Sequence, residues 1–226
     1  MDEKDFHIFS SFFRFKRNLG EEYCKMRKIE GESEVRDFLI GTLFPDVRYI
    51  AHFSRELTHP QILNLQEITK AKTFFERGIQ FHAWVDYIRE EFVVASGIYE
   101  KVIPYADGHQ ATLLKFIEEE ILGGFYDGQR WSSYFNDILQ EEKVFTSEEV
   151  ISKWHTMIRY TMSYRPSWLI WGVSYFKESA FGISNETLYN WSYLLPQFAK
   201  DPEFQAYVQE LLHHIFQKMD ESLYID

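Results

Sequence analysis

One cysteine, Cys24, stands in 226 residues. That shortage excludes an intramolecular disulfide and any structural zinc site built from several thiolates. Glycine and proline are also scarce, at 11 and 6, so turns are few and regular elements long, which favours helices. No apolar run reaches the ~18 residues of a membrane span. The start, Met1-Asp2-Glu3-Lys4-Asp5, is acidic and lacks a long apolar core behind a basic segment, so no secretory signal is visible. A soluble, cytoplasmic protein is the expectation. Basic residues are outnumbered, 24 Lys and Arg against 35 Asp and Glu, for a net charge of -11. Such a surface repels phosphates at long range and argues against nonspecific binding to double-stranded nucleic acid or anionic lipid. A substrate phosphate can still enter a cleft where bound cations reverse the local sign.

Aromatic residues are abundant: 21 Phe, 14 Tyr and 6 Trp. They supply one large core. Phe6, Phe9, Phe12 and Phe13 share a helical face beside His7, and Gly20 is placed to end that helix. Glu34 to Leu43 reads as a second helix, broken by Pro45-Asp46. Asp46 is positioned to cap a short helix through Ile50 and Phe53. Thr58-His59-Pro60 has the look of a helix start. The central helix runs from about Thr73, with Phe75, Ile79, His82, Asp86, Arg89 and Val93 recurring three or four residues apart. Gly78 within it implies close approach of a neighbouring helix, because glycine there otherwise costs stability.

Farther on, Pro104 to Gly108 reads as a loop, and Gln110 to Leu122 as a helix ending at Gly123-Gly124. Thr146-Ser147-Glu148-Glu149 has capping-box spacing and opens a helix to about Tyr164, closed by Arg165-Pro166. Trp168, Leu169, Trp171, Tyr175 and Phe176 belong to a helix apolar nearly all round, hence expected to be buried. Ser184 begins another helix that Pro196 interrupts, and Asp201-Pro202 starts the last, to about Ser222. The expected architecture is a single all-α domain of about eight to ten helices. Residues 1–95 carry the chemistry and 96–226 complete the core.

His82 and Asp86 leave the central helix from one face, four residues apart. An imidazole and a carboxylate so displayed make half of a zinc-type site. Asp46, His59 and His7 can supply the rest. Each has a plainer reading: Asp46 as a helix cap, His59 as a loop residue, His82 as a hydrogen-bonded core histidine. Asp86 interrupts an apolar face, where a buried carboxylate is costly unless a cation neutralises it. His155 reads as amphipathic-helix filler, His213-His214 as a solvated or core-flanking pair, and His52 as a possible lining residue.

The series His7, Asp46, His59 and His82-x-x-x-Asp86 resembles the zinc-dependent phospholipase C and single-strand nuclease superfamily. The surrounding text, Gly41-Thr42-Leu43-Phe44-Pro45-Asp46 and Phe75-x-x-Gly78-x-x-x-His82-x-x-x-Asp86, is similar as well. The likeness covers about residues 5 to 95. It implies a phospholipase C-like helical fold and a zinc cluster, with Asp46, His59, His82 and Asp86 completing one zinc site. Asp86 would bridge to a second metal shared with His7 and the amino terminus, Met1, with Asp2 or Asp5 as carboxylate substitutes. The later ligands of the family have no match, since no His follows Asp86 closely and no later His has an acid four residues on. His109, Glu118 and Glu119 are the replacements available, ahead of Asp107 and Asp127.

Clustered divalent cations suit hydrolysis of phosphate esters, whether small molecules or lipids. Asp86 would orient the attacking water or take its proton, and Arg48 and Arg55 could contact a phosphate. The expected activity is therefore that of a metal-dependent phosphodiesterase or phospholipase. The alternatives are a non-catalytic helical protein with one structural metal, and an interaction module with an acidic, aromatic surface.

Overall fold

The computed structural model describes residues 13–62, 64–123, 129–175 and 182–222. Every regular element among them is helical and none is a strand, as the periodicity implies. In chain order the α-helices are α1 (Phe13–Met26), α2 (Glu32–Leu43), α3 (Arg48–Ala51), α4 (Phe74–Ser96), α5 (Tyr99–Ala106) and α6 (Gln110–Leu122). They continue as α7 (Gln129–Ser132), α8 (Glu148–Ser163), α9 (Pro166–Val173), α10 (Asn185–Phe198) and α11 (Pro202–Glu221). Short 3-10 turns at Phe44–Val47, Arg55–Leu57 and Leu65–Lys70 carry the chain from α2 to α4. Buried apolar side chains form one cluster that includes residues from Phe13 to Met219.

Helix α4 is the axis. A capping box at Thr73 and Glu76 starts it, each side chain bonding the other's backbone N–H, and Gly97 in the left-handed region ends it. It lies along α2, with α1 and α11 against its other sides. Gly41 and Gly78 sit where α2 and α4 cross, the close approach that Gly78 implies. Helix α1 is buried on nearly every side and takes Arg14, Lys16 and Arg17 into the interior with Phe13, Phe15, Leu19 and Tyr23.

Three consecutive glutamates on α6 are also interior, and each ties a different neighbour to that helix. Both oxygens of Glu118 receive the Arg89 guanidinium of α4, at 2.9 and 3.0 Å, and one also accepts from Tyr207 Oη of α11 at 2.6 Å. Glu119 accepts the Phe15 N–H of α1 at 2.8 Å. Glu120 accepts the Ser167 N–H and hydroxyl of α9, both at 2.9 Å.

Several local expectations are corrected. Gly20 lies inside α1, where its missing side chain makes room for Leu39 and Phe38. Pro104 and Pro196 fall in the last turns of α5 and α10, where little helix remains to interrupt, so the loop after α5 begins only at Asp107-Gly108. Thr58-His59-Pro60 starts no helix and belongs to an irregular connection. The cap of α8 is Ser147, not Thr146. Helix α9 is not buried all round: it packs on α10 and α6 through Ile170 and Val173 and leaves Trp168 67% exposed. Trp171, Tyr175, Tyr189 and Tyr193 extend this exposed aromatic surface. His155 is no filler, because it is buried and its Nε2 meets Glu142 Oε1 at 2.7 Å.

Candidate metal centre

Four of the ligand-type residues named from the sequence converge at one point. Asp46 comes from the 3-10 turn after α2, His59 from the irregular segment beyond α3, and His82 and Asp86 from successive turns of α4. One ligand atom each from Asp46, His59 and His82 lie within 4.8 Å of one another, a group that could hold a metal ion. Nε2 of His82 is 3.1 Å from Nε2 of His59, 3.9 Å from Asp46 Oδ1 and 3.4 Å from Asp86 Oδ2. His59 Nε2 is 3.6 Å from the same Asp86 oxygen. Asp46 caps nothing, since neither its own turn nor α3 carries a side-chain cap.

The outer nitrogens settle how the rings present themselves. His82 Nδ1 is 2.8 Å from the Thr42 carbonyl, which can only accept, so the proton sits on Nδ1. Thr58 Oγ1 donates to the Pro45 carbonyl at 3.3 Å and is thereby left to accept from His59 Nδ1 at 3.1 Å. Both imidazoles therefore turn an Nε2 lone pair inward, toward each other and toward two carboxylates. Lone pairs that meet at this range repel unless a proton or a cation lies between them. Two imidazole nitrogens with carboxylate oxygens make a donor set that fits a zinc-type cation, and carbonyl and hydroxyl partners on the far nitrogens are the usual support for such ligands.

Lys16 is the residue that the sequence reading passed over. Its Nζ, fully buried, is 2.7 Å from Asp86 Oδ1. It is also 2.7 Å from His82 Nε2 and 3.1 Å from His82 Nδ1. An atom on the Nε2 lone-pair axis would be much farther from Nδ1, so the ammonium stands over the ring face and leaves the lone pair clear. Burial alone would raise the Asp86 carboxyl, but Lys16, then Lys115 and His82, hold it well below the usual carboxylate range. Asp46 is likewise held low against burial, by Lys16 and His82. Burial lowers the Lys16 ammonium against the attraction of Asp86 and Asp46. Burial lowers His59 too, which favours its neutral, ligand form.

A cleft of about 380 Å3 opens beside the cluster, walled by Arg55, His59, Pro60, Asp86, Tyr87 and Glu90. Arg55, at its mouth, is 3.9 Å from Asp86 Oδ2. Arg48 instead lies over the Tyr49 ring, 3.9 Å from its centroid.

The other ligand candidates are elsewhere. Glu118 is paired elsewhere: both of its oxygens accept from Arg89 in a bidentate pair. Glu119 is turned to α1, and Asp107 accepts from Thr187 Oγ1 at 2.8 Å. His109 precedes α6 and joins no ligand-type group among the described residues. His7, Met1, Asp2, Asp5 and Asp127 lie outside the described residues.

Besides Lys16, the sequence reading missed Thr42, Thr58 and Lys115. A signal for Lys16 was present, since it is three residues from both Phe13 and Leu19 and so lies on the apolar line of α1. No family model matches this chain, and no curated protein or solved structure matches it either.

Proposed function

We propose that this protein is a metal-dependent hydrolase of phosphate esters, of the phosphodiesterase or phospholipase C-like kind. Asp46, His59, His82 and Asp86 would hold a divalent cation, zinc by the nature of the donors. The observation that carries the reading is the pair of inward Nε2 atoms 3.1 Å apart, each fixed in its tautomer from behind and both facing carboxylates. When bound, such a cation supplies Lewis acidity toward a phosphate oxygen and a lowered pKa for water.

The chain's own residues then divide the work. Asp86, at the boundary between cluster and cleft, is placed to orient a water through Oδ2. Arg55 at the mouth offers a guanidinium to phosphate oxygens. Lys16 and Lys115 act on the carboxylates strongly enough to hold Asp86 low, so the interior favours an anion despite the acidic surface. The ester, whether a soluble metabolite or a lipid headgroup, is approached from the side of Tyr87 and Pro60.

A second reading has its own observation. The Lys16 ammonium already neutralises Asp86, and a buried polar centre of this kind can be structural, without catalysis. The two readings part on metal and turnover. The test is zinc content per chain, with and without zinc offered, together with zinc-dependent hydrolysis of bis(p-nitrophenyl) phosphate, for wild type, His82→Ala and Asp86→Asn. Zinc bound by wild type and lost in His82→Ala, with hydrolysis lost in Asp86→Asn, supports the hydrolase. Wild type that refuses zinc overturns it, and zinc without any hydrolysis moves the protein to the structural reading.

A further inference from the structure

The Asp86 carboxylate faces two ways. Oδ2 lies beside the Asp46–His59–His82 group, 3.4 Å from His82 Nε2 and 3.6 Å from His59 Nε2. Oδ1 is turned to the Lys16 ammonium at 2.7 Å. A carboxylate with one oxygen among metal ligands and the other on a cation is disposed as a bridge between two positive centres. The lysine is fully buried and comes from α1, a different element from every ligand. Burying an ammonium is costly unless carboxylates compensate it closely, and Asp86 and Asp46 are the charges it is attracted to.

We infer that Lys16 is the second cation of this centre. Its ammonium takes the Asp86 oxygen on which a bridging second metal would bind, so the site accepts a single divalent ion. This rests on the metal reading given above, and it departs from the bridged second metal that the family resemblance implies. Charge points the same way. Two carboxylates and one ammonium leave one negative charge for a divalent ion to neutralise. A second divalent ion would add its charge to a buried volume that already holds Lys16 and feels Lys115. The single ion and the ammonium together would present two positive centres to one phosphate, joined through Asp86.

The experiment counts zinc equivalents per chain by equilibrium dialysis and mass spectrometry, on wild type, Lys16→Ala and Lys16→Met, with circular dichroism to confirm folding. One equivalent is expected in wild type, and two in Lys16→Ala, which frees Oδ1 and leaves space beside it. Lys16→Met keeps the bulk of the side chain without its charge. It should take one equivalent, bound on the order of tenfold more tightly, because a cation at short range no longer opposes the metal. Two equivalents in wild type, or one in folded Lys16→Ala, overturn the role of Lys16 while leaving the metal reading in place. If Lys16→Ala does not fold, Lys16→Met decides: affinity equal to or weaker than wild type overturns the inference. Wild type without zinc removes the metal reading and this inference with it.

Discussion

Gly41 and Gly78 meet so closely at the crossing of α2 and α4 that neither can carry a side chain. A β-carbon on Gly41 would lie 2.1 Å from the Phe75 carbonyl oxygen, and one on Gly78 would lie 2.2 Å from that of Phe38. The contact reaches the candidate metal centre through the next residues along. Thr42 follows Gly41, His82 comes one turn after Gly78, and the crossing brings the Thr42 carbonyl to 2.8 Å from His82 Nδ1.

Gly78→Ala should therefore act on stability and on the site together. Backbone, not a mobile side chain, must yield, and overpacking of this kind costs about 1–3 kcal/mol. Urea denaturation should show that loss. Zinc affinity should fall as well, since His82 loses the acceptor that sets its tautomer. Unchanged stability would mean that the helices separate freely at this crossing.

Thr58 supports His59 in the same way that Thr42 supports His82. Thr58→Val keeps shape and removes the hydroxyl, leaving His59 Nδ1–H without the acceptor it has now. Loss of an outer partner of this type weakens metal binding about 10–100-fold. Competition with a chromophoric chelator measures it, and equal affinity in the two proteins would show that the tautomer of His59 is not set by Thr58.

Arg89 and Glu118 form a buried pair with Tyr207, away from the ligand group. Arg89→Met should destabilise the fold by about 3–5 kcal/mol, because it leaves a carboxylate buried without its cation. Zinc content per folded chain should stay at the wild-type value. A drop in zinc would return Glu118 to the ligands.

Glu119 supplies a pH dependence. Burial raises its carboxyl to about 7, against the lowering effects of Arg14 and the Phe15 N–H. A group raised on folding stabilises fully below its unfolded value, about 4.5, and that contribution is lost as pH climbs through about 7. His59, lowered by burial, works in the opposite sense as pH falls. The difference between wild type and Glu119→Gln isolates the glutamate. The variant should gain on wild type between pH 5 and 8, by on the order of 1–3 kcal/mol in all. A difference that does not change with pH would mean that Glu119 ionises in the fold as it does in the unfolded chain.

Much of this was legible in the chain itself, because local rules decide it. Apolar spacing of three and four residues sets α2, α4, α6 and α11, and the polar caps at Ser184 and Asp201 set where α10 and α11 begin. The candidate metal group of Asp46, His59 and His82, with Asp86 beside it, could be named as well, since His82 and Asp86 share a face through helical geometry alone, and Asp46 and His59 follow the order of the superfamily that the sequence resembles. What failed were readings that needed a neighbour. Trp168 was assigned to the interior by its sequence surroundings, yet nothing among the described residues covers it beyond 67% exposure. Glu118 has the chemistry of a ligand, but Arg89, 29 residues away, holds it.

Lys16 shows the division most clearly. Sequence alone determined that the protein is helical, that its core is aromatic and that an imidazole and a carboxylate share one face of α4, because these depend on periodicity within a segment. Only the tertiary structure decided that a lysine 70 positions before Asp86 enters the same buried volume, with its ammonium 2.7 Å from that carboxylate. Charge compensation acts through space and carries no sequence period.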